Sequence, residues 1–137
     1  MIEPPYAVDD VIQNVERGGD AYALFRVERV LRGSHYLDLV DLENSRRRLS
    51  GVDMKENCRN YRKTVLVPDD FDKVKRIRAL HAGSRVKHLI VGEIRIVVEV
   101  VNSARYYVQR FDKTGQRYRE TFGSLQRDYV AYGWGAR

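Results

Sequence analysis

Residues 92–101 read Gly-Glu-Ile-Arg-Ile-Val-Val-Glu-Val-Val. In an extended chain successive side chains alternate between faces, so Ile94, Ile96, Val98 and Val100 fall together while Glu93, Arg95 and Glu99 fall opposite them. That is the pattern of a half-buried strand. Val97 and Val101 interrupt the polar face, which predicts cover on that side as well and so a central strand of an antiparallel sheet. Six of the ten residues are β-branched, which disfavours a helix through lost side-chain freedom. Burial of each of the four aligned aliphatics contributes about 1.5–3 kcal/mol, enough for the neighbouring strands to form around this one.

Outward from this strand the pattern repeats. Residues 85–91 lead into it, and residues 105–111 return beside it after Asn102-Ser103. Residues 112–115, Asp-Lys-Thr-Gly, form a hairpin turn into a strand at 116–122, and a last strand covers 126–132 before the Gly133-Trp134-Gly135 tail. Nearer the N-terminus, residues 21–31 and 35–43 make a hairpin about Gly33-Ser34, and residues 64–67 form a strand that ends at Pro68. Residues 45–63 form a basic loop or a ragged strand. Pro4 and Pro5 favour an extended arm over residues 1–6. Asp9-Asp10 offers an N-cap for a short helix over 11–17 that stops at Gly18-Gly19, and Asp69-Asp70 caps a longer one running to about residue 82, with Phe71, Val74 and Ile77 on its apolar stripe. The resulting fold class is α+β: a mostly antiparallel twisted sheet with a short N-terminal helix and one longer helix packed on it.

The 137 residues suit one domain spanning 1–137, and 43% apolar composition is enough for a core. An internal duplication of 8–67 in 69–132 is a further reading. A shift of 71 brings Val27-Glu28, Val30, Tyr36, Asp41 and Arg46 onto Val98-Glu99, Val101, Tyr107, Asp112 and Arg117. No apolar run reaches the length of a membrane span, and Met-Ile-Glu-Pro-Pro lacks the features of a signal peptide, so a chain without membrane association is expected, either cytoplasmic or a mature form whose signal has been removed. A single cysteine, Cys58, excludes an intrachain disulfide and agrees with a reducing compartment.

The charge is uneven. Residues 1–68 hold 11 Lys and Arg against 11 Asp and Glu, whereas residues 69–137 hold 14 against 8, so the second half carries the whole net charge of +6. Arginine supplies 19 of the 25 cations, and its planar fork suits phosphate, carboxylate and aromatic planes. The implied partner is nucleic acid or an acidic protein surface.

No catalytic or metal set emerges, and the chain is read as non-enzymatic with no cofactor. Cys58 with His81 or His88 matches no zinc spacing, Cys58 reads as a small buried or idle thiol, and the paired acids sit where helix caps belong. No glycine-rich loop cradles a phosphate. The richer constellation is Arg105, Tyr107, Arg110, Arg117, Tyr118 and Arg119, which on adjacent strands sets guanidinium groups beside aromatic faces, as on sheets that stack single-stranded nucleic acid. Arg46, Arg47 and Arg48 provide a second basic contact. The alternative is that Tyr107, Phe111, Tyr118 and Phe122 are core and the arginines are its wet side.

Arg29-Val30-Leu31-Arg32-Gly33, followed by Tyr36 and Leu37-Asp38-Leu39, resembles the Gln-x-Val-x-Gly hairpin of the cystatin family, including its latexin type, with Arg29 in place of the glutamine. Asn57-Cys58 before residues 64–68 is similar to a later strand of those domains. The resemblance covers about 60 residues. It implies a sheet wrapped on a helix and, in inhibitory members, a wedge for a cysteine-peptidase cleft, here Arg29, Val30, Leu31, Arg32 and Gly33 with Trp134. A second likeness, carried by Tyr22-Ala23, Gly33, Arg48-Leu49 and Tyr61-Arg62-Lys63, is to the S1-like barrel of translation initiation factors. A structural subunit of a larger assembly is a third class of function.

Overall fold

The computed structural model describes residues 6–16, 21–31, 33, 35–110 and 115–133. The expected arm at 1–5, the Gly18-Gly19 stop, Ser34, turn residues 112–114 and the tail from Trp134 onward lie outside the described residues. The chain divides into two compact units, Met1–Pro68 and Asp69–Arg137, each with its own apolar core. The architecture is mostly antiparallel sheet with short helices. No helix among the described residues is long and apolar enough to cross a membrane.

In the first unit β1 (Val11–Asn14), β2 (Leu24–Leu31), β3 (Tyr36–Asp41) and β4 (Arg48–Asp53) form a meander. A single turn of helix, α1 (Met54–Asn57), and a 3-10 turn (Cys58–Asn60) then deliver β5 (Tyr61–Lys63) back to β1, giving the order β4-β3-β2-β1-β5. Ile12, Phe25, Val27, Leu37, Leu39 and Met54 fill its core. Asp53 caps α1 by accepting from the Lys55 N–H at 2.9 Å.

The second unit follows the same plan. β7 (Arg85–His88), β8 (Ile94–Asn102), β9 (Arg105–Arg110) and β10 (Arg117–Thr121) form the meander, α2 (Phe122–Asp128) follows, and β11 (Tyr129–Tyr132) returns to β7. A two-residue strand, β6 (Val74–Lys75), adds to the far edge of β11, so the order is β10-β9-β8-β7-β11-β6. Corresponding ladder positions hold corresponding core residues. Ile12 pairs with Phe25 as Val86 pairs with Arg95, Val27 with Leu39 as Val97 with Val108, and Asn14 with Tyr61 as His88 with Tyr129. β2 and β8 each carry an irregularity just after the core valine, between Val27 and Arg29 and between Val97 and Glu99.

Three expectations about elements are corrected. Residues 11–14 are a strand and not the start of a helix, because Val11, Ile12, Gln13 and Asn14 are all buried between β2 and β5; the Asp10 carboxylate accepts from the Ala7 N–H at 2.8 Å and so closes a turn before the strand. The early helix expected with the cystatin resemblance is therefore this strand. Residues 71–82 are not a helix either. Val74 and Lys75 pair with Tyr132 and Ala131, and the Lys73 carbonyl accepts from the Gly133 N–H at 2.9 Å, so edge pairing takes up the backbone groups that a helix would have used internally. The last strand is shorter than 126–132. Thr121 caps α2 by accepting from the Ser124 N–H at 3.1 Å, and fully buried Leu125 anchors that helix, leaving only Tyr129–Tyr132 as strand.

The strand at residues 92–101 is present and central, lying between β7 and β9, but its faces are reversed over residues 94–97. Val97 is 0% exposed while Val100 is 39% exposed. The register sets Arg95 opposite buried Val86 and Val97 opposite buried Val108, which turns the Arg95/Val97 side inward; the irregularity between Val97 and Glu99 then sets Val100 opposite buried Tyr106, on the expected face but in the exposed part of the strand. Val97→Ala should accordingly lower unfolding stability by about 1.5–3 kcal/mol, and Val100→Ala should stay within about 0.5 kcal/mol. Chemical denaturation of the two variants checks the assignment; equal losses would contradict it.

Candidate nucleic-acid interface

The meander of the second unit sorts its arginines and tyrosines by face. Tyr106 and Val108 are buried, so Arg105, Tyr107 and Gln109 point away from the core. Their partners on β10 are Thr121, Arg119 and Arg117 in turn. On β8, Glu99 stands beside Tyr107 and Ile96 beside Gln109, and on β7 Arg85 stands beside Ile96. Two rows result: Arg119, Tyr107 and Glu99, and Arg117, Gln109, Ile96 and Arg85.

In the first row the Arg119 guanidinium lies 5.1 Å from the centre of the Tyr107 ring, and its Nε donates to the Tyr107 hydroxyl at 3.2 Å. The half-buried ring is thereby tied to the cation that lies over it. Arg105, Arg117 and Arg119 are exposed and form no ion pair among the described residues. Four carboxylates of this unit are engaged elsewhere: Asp70 by Lys87 at 3.1 Å, Glu93 by Arg95 at 3.1 Å, Asp128 by Arg127 at 3.1 Å, and Glu120 by the Ser124 hydroxyl at 3.0 Å. Glu99 is the carboxylate that shares the exposed rows.

The other residues singled out from the sequence are placed differently. Tyr118 turns inward against the core. Arg110 ends β9. Arg46 is exposed in a turn of the first unit, but Arg47 is paired with Asp41 at 3.3 Å with its guanidinium 5.3 Å from the centre of the Phe25 ring, and Arg48 is paired with Glu28. Arg29 is paired with Asp38 at 3.7 Å, Val30 and Leu31 are half-buried, and Gly33 takes the left-handed φ of +62° that the hairpin needs. Arg32 and Trp134 lie outside the described residues. Cys58, read as buried or idle, is exposed, and its thiol lies 3.8 Å from the Lys55 carbonyl. No group of three potential metal ligands occurs among the described residues.

Beneath the face sits a residue the sequence pattern assigned to solvent. The Arg95 side chain is only 12% exposed. Its guanidinium lies 4.7 Å from the centre of the Tyr118 ring and 5.5 Å from that of Tyr129, donates to the Tyr129 hydroxyl, and pairs with Glu93. Two aromatic planes and a carboxylate thus make an interior position tolerable for a cation. Lys73, Lys75 and Arg85 were also missed, because a helix over 71–82 sends Lys73 and Lys75 to different sides. The alternation Lys73-Val74-Lys75 was the strand signal that could have found two of them.

No family model matches the chain, and no curated protein or solved structure matches it.

Burial pushes the Tyr129 hydroxyl up to about 12 from its ordinary 10.0; the carboxylates of Glu120, Asp128 and Glu93 add to the rise, and the nearby Arg95 cation opposes it. A proton held more tightly in the folded state stabilises that state below pH 10, and the contribution is lost as pH rises from 10 toward 12. Tyr129→Phe should cost about 1 kcal/mol at neutral pH through the lost hydrogen bond, yet lose less stability than the parent between pH 10 and 12. Urea midpoints at the three pH values read the difference.

Proposed function

We propose that the protein is a non-enzymatic binding module for an anionic partner, and that the partner is single-stranded RNA or DNA lying across β9 and β10. The observation that carries this reading is the exposed group Arg105, Arg117 and Arg119 around the half-exposed Tyr107, none of the three cations being matched by a carboxylate among the described residues. Backbone phosphates pair with guanidinium groups and a base stacks on an accessible tyrosine ring. The first unit supports the reading by contrast. Five of its cations are paired internally, Arg26 with Asp9, Arg29 with Asp38, Arg47 with Asp41, Arg48 with Glu28 and Lys63 with Asp10, which leaves Arg46 as the member of the basic run available for a second contact. The common order of elements and the matched ladder positions support a duplicated module in which the second copy carries the contact surface.

Each phosphate contact releases condensed counterions, so affinity for a single-stranded oligonucleotide should fall steeply between about 50 and about 200 mM salt. Arg119→Ala should reduce the log–log salt slope by about one without lowering the melting temperature, and Tyr107→Ala should weaken binding by about 1–3 kcal/mol. Fluorescence anisotropy at several salt concentrations measures both. Absence of binding at about 50 mM salt, or an affinity indifferent to salt, would reject a nucleic-acid partner.

A further inference from the structure

A second basic site lies at the other end of the same unit. A cleft of about 250 Å³ opens between β6, β7, β11 and the segment joining β6 to β7, lined by Lys73, Lys75, His81, Ser84, Arg85 and Tyr132 among others, with no Asp or Glu among the described residues of its lining. Lys73, at the end of the turn before β6, and Lys75, within β6, both line it, the turn being held against β11 by the Gly133 N–H donating to the Lys73 carbonyl at 2.9 Å. Neither ammonium forms an ion pair among the described residues. Asp70, the carboxylate three residues before Lys73, is 3% exposed and already held by the Lys87 ammonium at 3.1 Å and the Tyr132 hydroxyl at 3.4 Å, so it does not neutralise them. A tight turn sets His81 and Ser84 together at the lining: the His81 N–H donates to the Ser84 hydroxyl at 3.1 Å, and the Ser84 N–H donates to the His81 carbonyl at 3.0 Å.

The groove of the first unit is differently charged. It is lined by Arg29 and Arg48 together with Asp38 and Glu28, and each arginine is paired with one of those acids. Two lysines without an ion pair among the described residues therefore distinguish the second unit's cleft from this groove. Several like charges around a concave surface raise the local potential and favour a compact multivalent anion over a single carboxylate.

We infer that this cleft binds a phosphate monoester, with Lys73 and Lys75 as point charges on the phosphoryl oxygens, Arg85 as a fork, and the Ser84 hydroxyl and His81 imidazole as further hydrogen-bonding groups. A monoester carries close to two negative charges at neutral pH and three acceptor oxygens, which suits this donor set. The volume accommodates a phosphoryl group with a substituent of about sugar size. Such a group is available at the 5′ end of a nucleic-acid strand or on a small phosphorylated molecule. The inference does not depend on binding by the β9–β10 face.

The full chain is titrated at about 50 mM salt with ribose 5-phosphate, with ribose, and with one short oligonucleotide bearing either a 5′-phosphate or a 5′-hydroxyl, following backbone amide shifts. Ribose 5-phosphate is expected to give saturable shifts confined to residues 73–85 and 131–133, and ribose none. Lys73→Ala/Lys75→Ala should weaken that binding about tenfold or more at an unchanged melting temperature, while Arg119→Ala leaves it intact. A gain for the 5′-phosphorylated strand that disappears in the double variant identifies strand ends as the source; saturation by ribose 5-phosphate with no difference between the strands identifies a small molecule. Unsaturable shifts with every phosphate probe, or a double variant that binds ribose 5-phosphate as tightly as the parent, would overturn the assignment. Loss of oligonucleotide binding in Arg119→Ala with ribose 5-phosphate binding retained separates the face from the cleft.

Discussion

Each unit depends on its last strand finding the first strand of its meander. β5 pairs with β1, and β11 pairs with β7, across most of the unit's sequence. Without that return, β1 and β7 would be edge strands with unpaired backbone groups, and their buried residues Val11, Ile12 and Val86 would lack cover on one side. The short helix before each final strand serves the same closure. Met54 and Leu125 drop from it into the core while the chain reverses toward the first strand. Closure in this form places large aromatic residues at the start of the returning strand, Tyr61 in one unit and Tyr129 in the other.

The same ladder position then accommodates opposite chemistry. In the first unit Phe25 lies opposite Ile12, packs edge-on to Tyr61 with centres 6.3 Å apart, and is roofed by the Arg47 guanidinium. In the second unit Arg95 occupies the corresponding place and is itself the cation, between Tyr118 and Tyr129. Both arrangements join a guanidinium to aromatic faces in a partly desolvated interior, where such contacts are strongest. The consequence for the surface is indirect: Tyr118 is drawn inward, leaving Tyr107 as the β9–β10 tyrosine available on the outer face.

Charge is divided between the units by pairing as much as by composition. In the first unit Arg26, Arg29, Arg47 and Arg48 each have a carboxylate within reach. In the second unit Asp70, Glu93, Asp128 and Glu120 are held by Lys87, Arg95, Arg127 and Ser124, while Arg105, Arg117 and Arg119 on β9 and β10 and Lys73 and Lys75 in the cleft beside β6 form no ion pair among the described residues. A shortage of carboxylates visible in the sequence thereby becomes two local concentrations of positive charge.

The strands at 24–31, 36–41, 94–102, 105–110 and 117–121 were legible in the sequence, because alternation and β-branched residues restrict a short segment whatever surrounds it. The asymmetry of charge was equally plain, and with it the grouping of Arg105, Tyr107, Arg117 and Arg119. What only the tertiary structure decided was which face of each strand is inside and which segments abandon helix for sheet. Periodicity of two identifies two faces but does not choose between them, and at residues 94–97 the aliphatic count favoured the wrong one because two tyrosines and a glutamate make Arg95 acceptable indoors. Residues 11–14 and 74–75 are strands because distant partners, β2 and β5 for one and β11 for the other, satisfy their backbone groups. No local pattern contains those partners, so the paired lysines of the cleft came into view only when the chain had closed on itself.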